Sequence, residues 1–128
     1  TGWIGKSLIY HIKKNYNNEF DIIGISNSSN FISFDDEKII KLHNFNNEFL
    51  YDENLIICHF AFLTKDKIKS YEGNKYIEEN NKIRDKIEKI IATNKIESMV
   101  YISSGATYNL DCEYGKQKIQ DEYFFLFY

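Results

Sequence analysis

At 128 residues, with 43% hydrophobic and 16% aromatic side chains, the chain carries enough apolar surface for one globular domain with a sizeable core, which excludes intrinsic disorder. Sixteen Lys and Arg against nineteen Asp and Glu leave a formal charge of -3 with no basic block, which argues against nucleic acid as a partner. No apolar run reaches the roughly 20 residues that span a bilayer, and no charged-then-apolar leader opens the chain, so no membrane role and a cytoplasmic location are expected.

Cys58 and Cys112 are far apart and lack the closely spaced Cys or His companions of a zinc site, so no metal is expected and both are read as reduced thiols. The abundance of Ile, Lys and Asn without any Pro fits an AT-rich genome, and lysine-rich stretches therefore carry little weight.

The first element is a helix from Ile4 to Lys14, where Ile4, Leu8, Ile9 and Ile12 recur at helical spacing and Lys13 and Lys14 suit the negative end of the dipole. "FDIIGIS", Phe20 to Ser26, predicts a buried strand closed by the turn former "NSSN". "IIKLHNF", Ile39 to Phe45, predicts a further strand. "NLIICHFAF", Asn54 to Phe62, is nearly all apolar and predicts a central parallel strand covered on both faces. Ile83, Ile87, Ile90 and Ile91 mark a long helix from Tyr76 to Thr93. "SMVYISS" predicts another strand, and "YGKQKIQDEYFFLFY" a last helix ending on apolar residues without a cap.

Strands alternating with helices predict an α/β fold, a Rossmann-like doubly wound parallel sheet, forming one domain over residues 1–128. "TGWIG" suits the turn that brings backbone amides to a pyrophosphate at a helix N-terminus, although two glycines three apart also close an ordinary turn. Such a turn normally follows a strand. With no residues ahead of it for that strand, and a chain that stops inside a helix, a truncated fragment is expected, missing its first strand and its C-terminal substrate region.

Tyr-x-x-x-Lys occurs three times, at Tyr10 and Lys14, Tyr71 and Lys75, and Tyr114 and Lys118. Residues four apart share a helix face, so each is by default a solvated pair. Tyr114 and Lys118 differ in following a strand that ends in "ISSGATY", the kind of strand end where ligands sit.

The ordered set "TGWIG", "IICHFAF", "NNKI", "VYISSGATY" and "YGKQK" resembles the short-chain dehydrogenase/reductase superfamily, in its extended branch of nucleotide-sugar epimerases and dehydratases. The resemblance covers essentially the whole chain. It implies an NAD(P)-dependent epimerase or reductase acting on a nucleotide sugar, with NAD or NADP as cofactor and a homodimer for the full-length protein.

It further implies that Gly2, Trp3, Ile4 and Gly5 belong to the pyrophosphate turn and that Phe60, Ala61 and Phe62 pass beside the cofactor. Ser104 matches the hydroxyl that holds the substrate oxygen, Tyr114 the acid/base, and Lys118 its partner, which also reaches the nicotinamide ribose. A nearby ammonium favours the phenolate of a tyrosine whose free pKa is about 10. Asn80 or Asn81 matches a helix asparagine.

Gly105 and Ala106 stand where dehydrating relatives carry Asp and Glu, which disfavours dehydration. Ser26 and Asn27 stand where NAD-specific members carry an acidic residue at the end of the second strand, and no adjacent Arg argues for NADP. The Tyr108 to Tyr114 stretch is short for this branch. The alternative is a truncated or degenerate Rossmann domain that binds a nucleotide or a protein partner without catalysis. His59 reads as a packed or cofactor-adjacent histidine, the sequence marks no catalytic or metal-ligating companion for His11 or His43, and Asp35 and Asp36 read as a solvated loop.

Overall fold

The computed structural model describes residues 2–16, 19–27, 31–33, 39–109 and 111–126. Thr1, most of the "NSSN" turn, Asp35, Asp36 and the last two residues of the Phe-rich tail lie outside the described residues. The chain is mixed α/β and divides into two compact units, Thr1–Glu48 and Phe49–Tyr128.

The first unit contains helix α1 (Trp3–Asn15) and strands β1 (Gly24–Ser26), β2 (Phe31–Ser33) and β3 (Ile39–Asn44) in the order β1-β3-β2. Gly24–Ser26 pairs in parallel with Leu42–Asn44, whereas β2 runs antiparallel to β3. The predicted strand Phe20 to Ser26 thus shrinks to its last three residues, because only these face β3; Phe20 and Ile23 are exposed. Ile9 from α1, Ile32 from β2 and Leu42 from β3 form the buried cluster, with Ile22 packed against it. Each such side chain contributes roughly 1.5–3 kcal/mol of burial.

In the second unit, strand β4 (Leu55–His59) pairs in parallel with β5 (Ile96–Tyr101), joined through helix α2 (Lys75–Thr93) and followed by helix α3 (Glu113–Phe125). The parallel pairing agrees with the crossover read from the sequence. Coverage on both faces does not hold: Ile56 is 50% exposed and Val100 49%, so one face of this sheet is open. The strand also ends at His59, which leaves Phe60, Ala61 and Phe62 in the connection after it. On the opposite face, His59 and Tyr101 stack against Phe125 of α3, with ring centroids 5.1 and 5.2 Å away. At the end of α2, Asn94 Nδ2 donates to the carbonyls of Ile90 and Phe49, and its Oδ1 accepts from Tyr51 N, which fastens the start of this unit to the helix.

A 3-10 helix, Gly105–Tyr108, lies between β5 and α3 and packs on the first turn of α3. Gly115 makes this approach possible. A Cβ there would stand 2.3 Å from the carbonyl oxygen of Ala106 and 2.5 Å from that of Asn109, both backbone atoms. Gly115→Ala should therefore destabilise the fold by about 1–3 kcal/mol, although Ala is the better helix former by roughly 1 kcal/mol. Gly105→Ala, whose Cβ would meet nothing within 4 Å, is the control for the same urea titration. Equal midpoints for the two variants would contradict the packing described.

Candidate functional site

Helix α3 turns an unusually polar face inward: Gly115, Gln117, Lys118, Asp121 and Phe125 are its buried residues. An unpaired buried ammonium is costly, so the surroundings of Lys118 are what make the helix tenable. Lys118 is 5% exposed. Its Nζ donates to the carbonyl oxygen of Ile102 at 2.8 Å and faces two rings, with centroids at 4.1 Å for Phe62 and 4.6 Å for Tyr101. Burial pulls its pKa down to about 8, against the opposing charges of Asp121 and Glu122.

The neighbouring groups respond to the same environment. Burial raises the Asp121 carboxyl to about 6, while Arg84 and then Lys118 act the other way. Arg84 Nη1 reaches Asp121 Oδ1 at 3.4 Å, and its Nη2 donates to Asn81. His59, 3% exposed, is lowered to about 4 by burial and then by the Lys118 charge, as befits a packed neutral imidazole. Burial, followed by Asp121 and Glu122, pushes the Tyr101 phenol well up.

Phe62 is positioned from α2. Asn80 Oδ1 accepts from Leu63 N at 2.9 Å, and Tyr76 donates its hydroxyl to Leu63 O at 2.6 Å. These two α2 side chains, one turn apart and each 2% exposed, hold both peptide groups of the residue after Phe62. Between the two asparagines left open by the sequence, Asn80 is the one bound to this connection, and Asn81 pairs with Arg84. The Phe62 ring also meets Tyr114, with centroids 5.6 Å apart in a T-shaped contact. Tyr114 and Lys118 therefore share Phe62 as a neighbour.

Ser104 caps the Gly105–Tyr108 helix, its Oγ accepting from Ala106 N at 3.2 Å and its carbonyl from Thr107 N and Thr107 Oγ1. Ser103 Oγ accepts from Ser104 N and donates to Glu122 of α3. Ala106, bonded to Ser104, abuts Gly115, the residue after Tyr114. Ser104 also lines an open depression of about 560 Å³ with Ser103, Gly105, Thr107, Tyr108, Ile119 and Glu122; Tyr114 and Lys118 are not among its walls.

Most of the remaining candidates lie in the first unit. Helix α1 starts at Gly2 without a side-chain cap or an acidic residue in its first turn, Trp3 is 78% exposed, Ile4 is half-buried and Gly5 is buried. Among the described residues, a helix start without a side-chain cap or an acidic group suits a phosphate. Ser26 is buried at the end of β1, and Asn27 is exposed beside it. Phe60 and Ala61 flank the end of β4 in the second unit.

The three Tyr-x-x-x-Lys pairs separate clearly. Lys14 lies over the exposed ring of Tyr10 on α1, and Tyr71 precedes α2 altogether. Sequence reasoning missed Tyr76, Asp121, Glu122 and Arg84. Their one-turn spacings on α2 and α3 were visible, but nothing local marks the inward direction of charged side chains. Among the described residues, no three His, Cys, Asp or Glu side chains gather to hold a metal ion, and no helix is long and apolar enough to cross a membrane. Comparison of the chain with protein-family models, curated proteins and solved structures finds no match.

The lowered Lys118 pKa has a thermodynamic signature. Between about 8 and the ordinary lysine value of 10.5 the unfolded chain holds a proton that the folded chain has released, so stability rises with pH, by at most about 1.4 kcal/mol per unit. Urea unfolding between pH 8 and 9.5 should show this rise, and Lys118→Met should remove it. Parallel pH profiles for the two proteins would count against the buried ammonium.

Proposed function

We propose that the chain is the cofactor-binding part of an NAD(P)-dependent epimerase or reductase of the short-chain dehydrogenase/reductase type, built on a Rossmann-like sheet, whose substrate is a nucleotide sugar. The observation that supports this most is the docking of the Ser104-capped helix on α3 through Gly115, beside Tyr114. Ordinary surface pairs have no reason to stand where a strand end, a serine cap and a glycine contact converge.

The residues fit a nicotinamide dinucleotide at several points. Within the second unit, the half-buried Tyr114 and Ser104 are accessible, and buried Asn80 keeps an unpartnered Nδ2 among the described residues; the start of α1, taken by itself in the first unit, suits a phosphate. When bound, the cofactor supplies the hydride acceptor or donor. Tyr114 takes a proton from a sugar hydroxyl at its Oη or returns one to a carbonyl. Ser104 Oγ holds the same oxygen. Gly105 and Ala106 supply no acid or base after Ser104, so the chemistry stops at oxidation, reduction or inversion.

Two observations favour a second reading, a domain that binds a nucleotide or a partner protein without turnover. The Lys118 ammonium is already engaged by Ile102, and the depression beside Ser104 does not include Tyr114.

One experiment separates the readings. In the full-length protein, Tyr114→Phe should leave the Kd for NADH within about twofold and lower turnover of nucleoside-diphosphate sugars by about 100- to 10,000-fold. Unchanged turnover in that variant would remove the acid/base assignment. An unmutated protein that binds NADH or NADPH but turns nothing over would favour the second reading.

A further inference from the structure

The ammonium of Lys118 meets one carbonyl, the face of Phe62 and the face of Tyr101, with the charges of Asp121 and Glu122 acting on it. The two rings are not equivalent walls. Tyr101 belongs to β5 and is locked between His59 and Phe125, with centroids 5.6 and 5.2 Å away. Phe62 lies in the connection after β4, is half-buried, and touches Tyr114 by an edge. Its backbone is held in place because Asn80 and Tyr76 grip Leu63. Motion of the ring is therefore chiefly side-chain rotation.

We propose that Phe62 is a latch over Lys118: its ring keeps the ammonium turned onto Ile102, and a ligand hydroxyl reaches that ammonium only after the ring has rotated away. That the ligand is a ribose diol rests on the function proposed above. The latch itself concerns only access to the lysine. A cation facing an aromatic ring in a desolvated place is held firmly, so the open form is the minor one, and any ligand of Lys118 binds more weakly by the fraction that is open. Phe62 acts through Lys118 and is a positioning residue.

Brief acetylation by acetic anhydride, read by peptide mass spectrometry, measures the latch without any cofactor. Lys118 should react slowly in the unmutated protein, about tenfold faster in Phe62→Ala, and at the original rate in Phe62→Tyr, which restores the ring. Lys116, whose side chain is 48% exposed on the same helix, serves as internal reference and should not change. Phe62→Leu keeps the apolar bulk without an aromatic face, so it carries the test if the alanine variant does not fold; it too should expose Lys118.

A folded Phe62→Ala or Phe62→Leu protein in which Lys118 reacts at the original rate overturns the proposal. NADH titration of the full-length protein adds the ligand arm: tighter binding of about tenfold in Phe62→Ala supports both latch and ribose. Faster acetylation with unchanged NADH affinity supports the latch and rejects the ribose contact at Lys118, and faster acetylation with no NADH binding in either protein supports the latch and rejects the nicotinamide reading.

Discussion

The second unit is organised around one buried cation. Lys118 is placed on the inner face of α3, and a lysine there is tolerable only because the Ile102 carbonyl, two aromatic faces and the nearby carboxylates compensate for lost water. That requirement reaches into every neighbouring element. It fixes the end of β5 against α3 and demands a ring at Phe62. Burial, and then this cation, lower the pKa of the histidine at the end of β4. Asp121 and Arg84 complete the arrangement by joining α3 to α2 through a partly buried ion pair.

Two further contacts set the geometry in which this cation can matter. Gly115 removes the side chain that would separate α3 from the Gly105–Tyr108 helix, and so brings the Ser104 cap beside the first turn that carries Tyr114. Tyr76 and Asn80 hold Leu63 and thereby present Phe62 to both Tyr114 and Lys118. Phe62 thus contacts both Tyr114 and Lys118, which stand one turn apart on α3.

Much of the architecture was legible from periodicity. The 3.6-residue spacing of Ile4, Leu8, Ile9 and Ile12, and of Ile83, Ile87, Ile90 and Ile91, marked α1 and α2 to within a residue or two. The apolar run at Leu55–His59 marked β4. The three-residue β2 escaped notice because its pairing is set by β3, and three residues carry no period. The run through Phe62 was read as strand on composition alone; the grip of Tyr76 and Asn80 on Leu63 is a contact across more than a dozen residues and leaves no local signal. Ser104, Tyr114 and Lys118 were singled out by motif order. The direction of Lys118, inward to Ile102, depends on residues that the motif does not contain.

The buried ammonium can be observed directly. Heteronuclear NMR of protein carrying labelled lysine reports the Hε and Cε of each side chain, and protons over aromatic faces shift upfield. One lysine should stand apart, upfield and titrating near pH 8, and should vanish in Lys118→Met. A spectrum in which every lysine keeps its free-chain shift and titrates together above pH 10 would contradict the account.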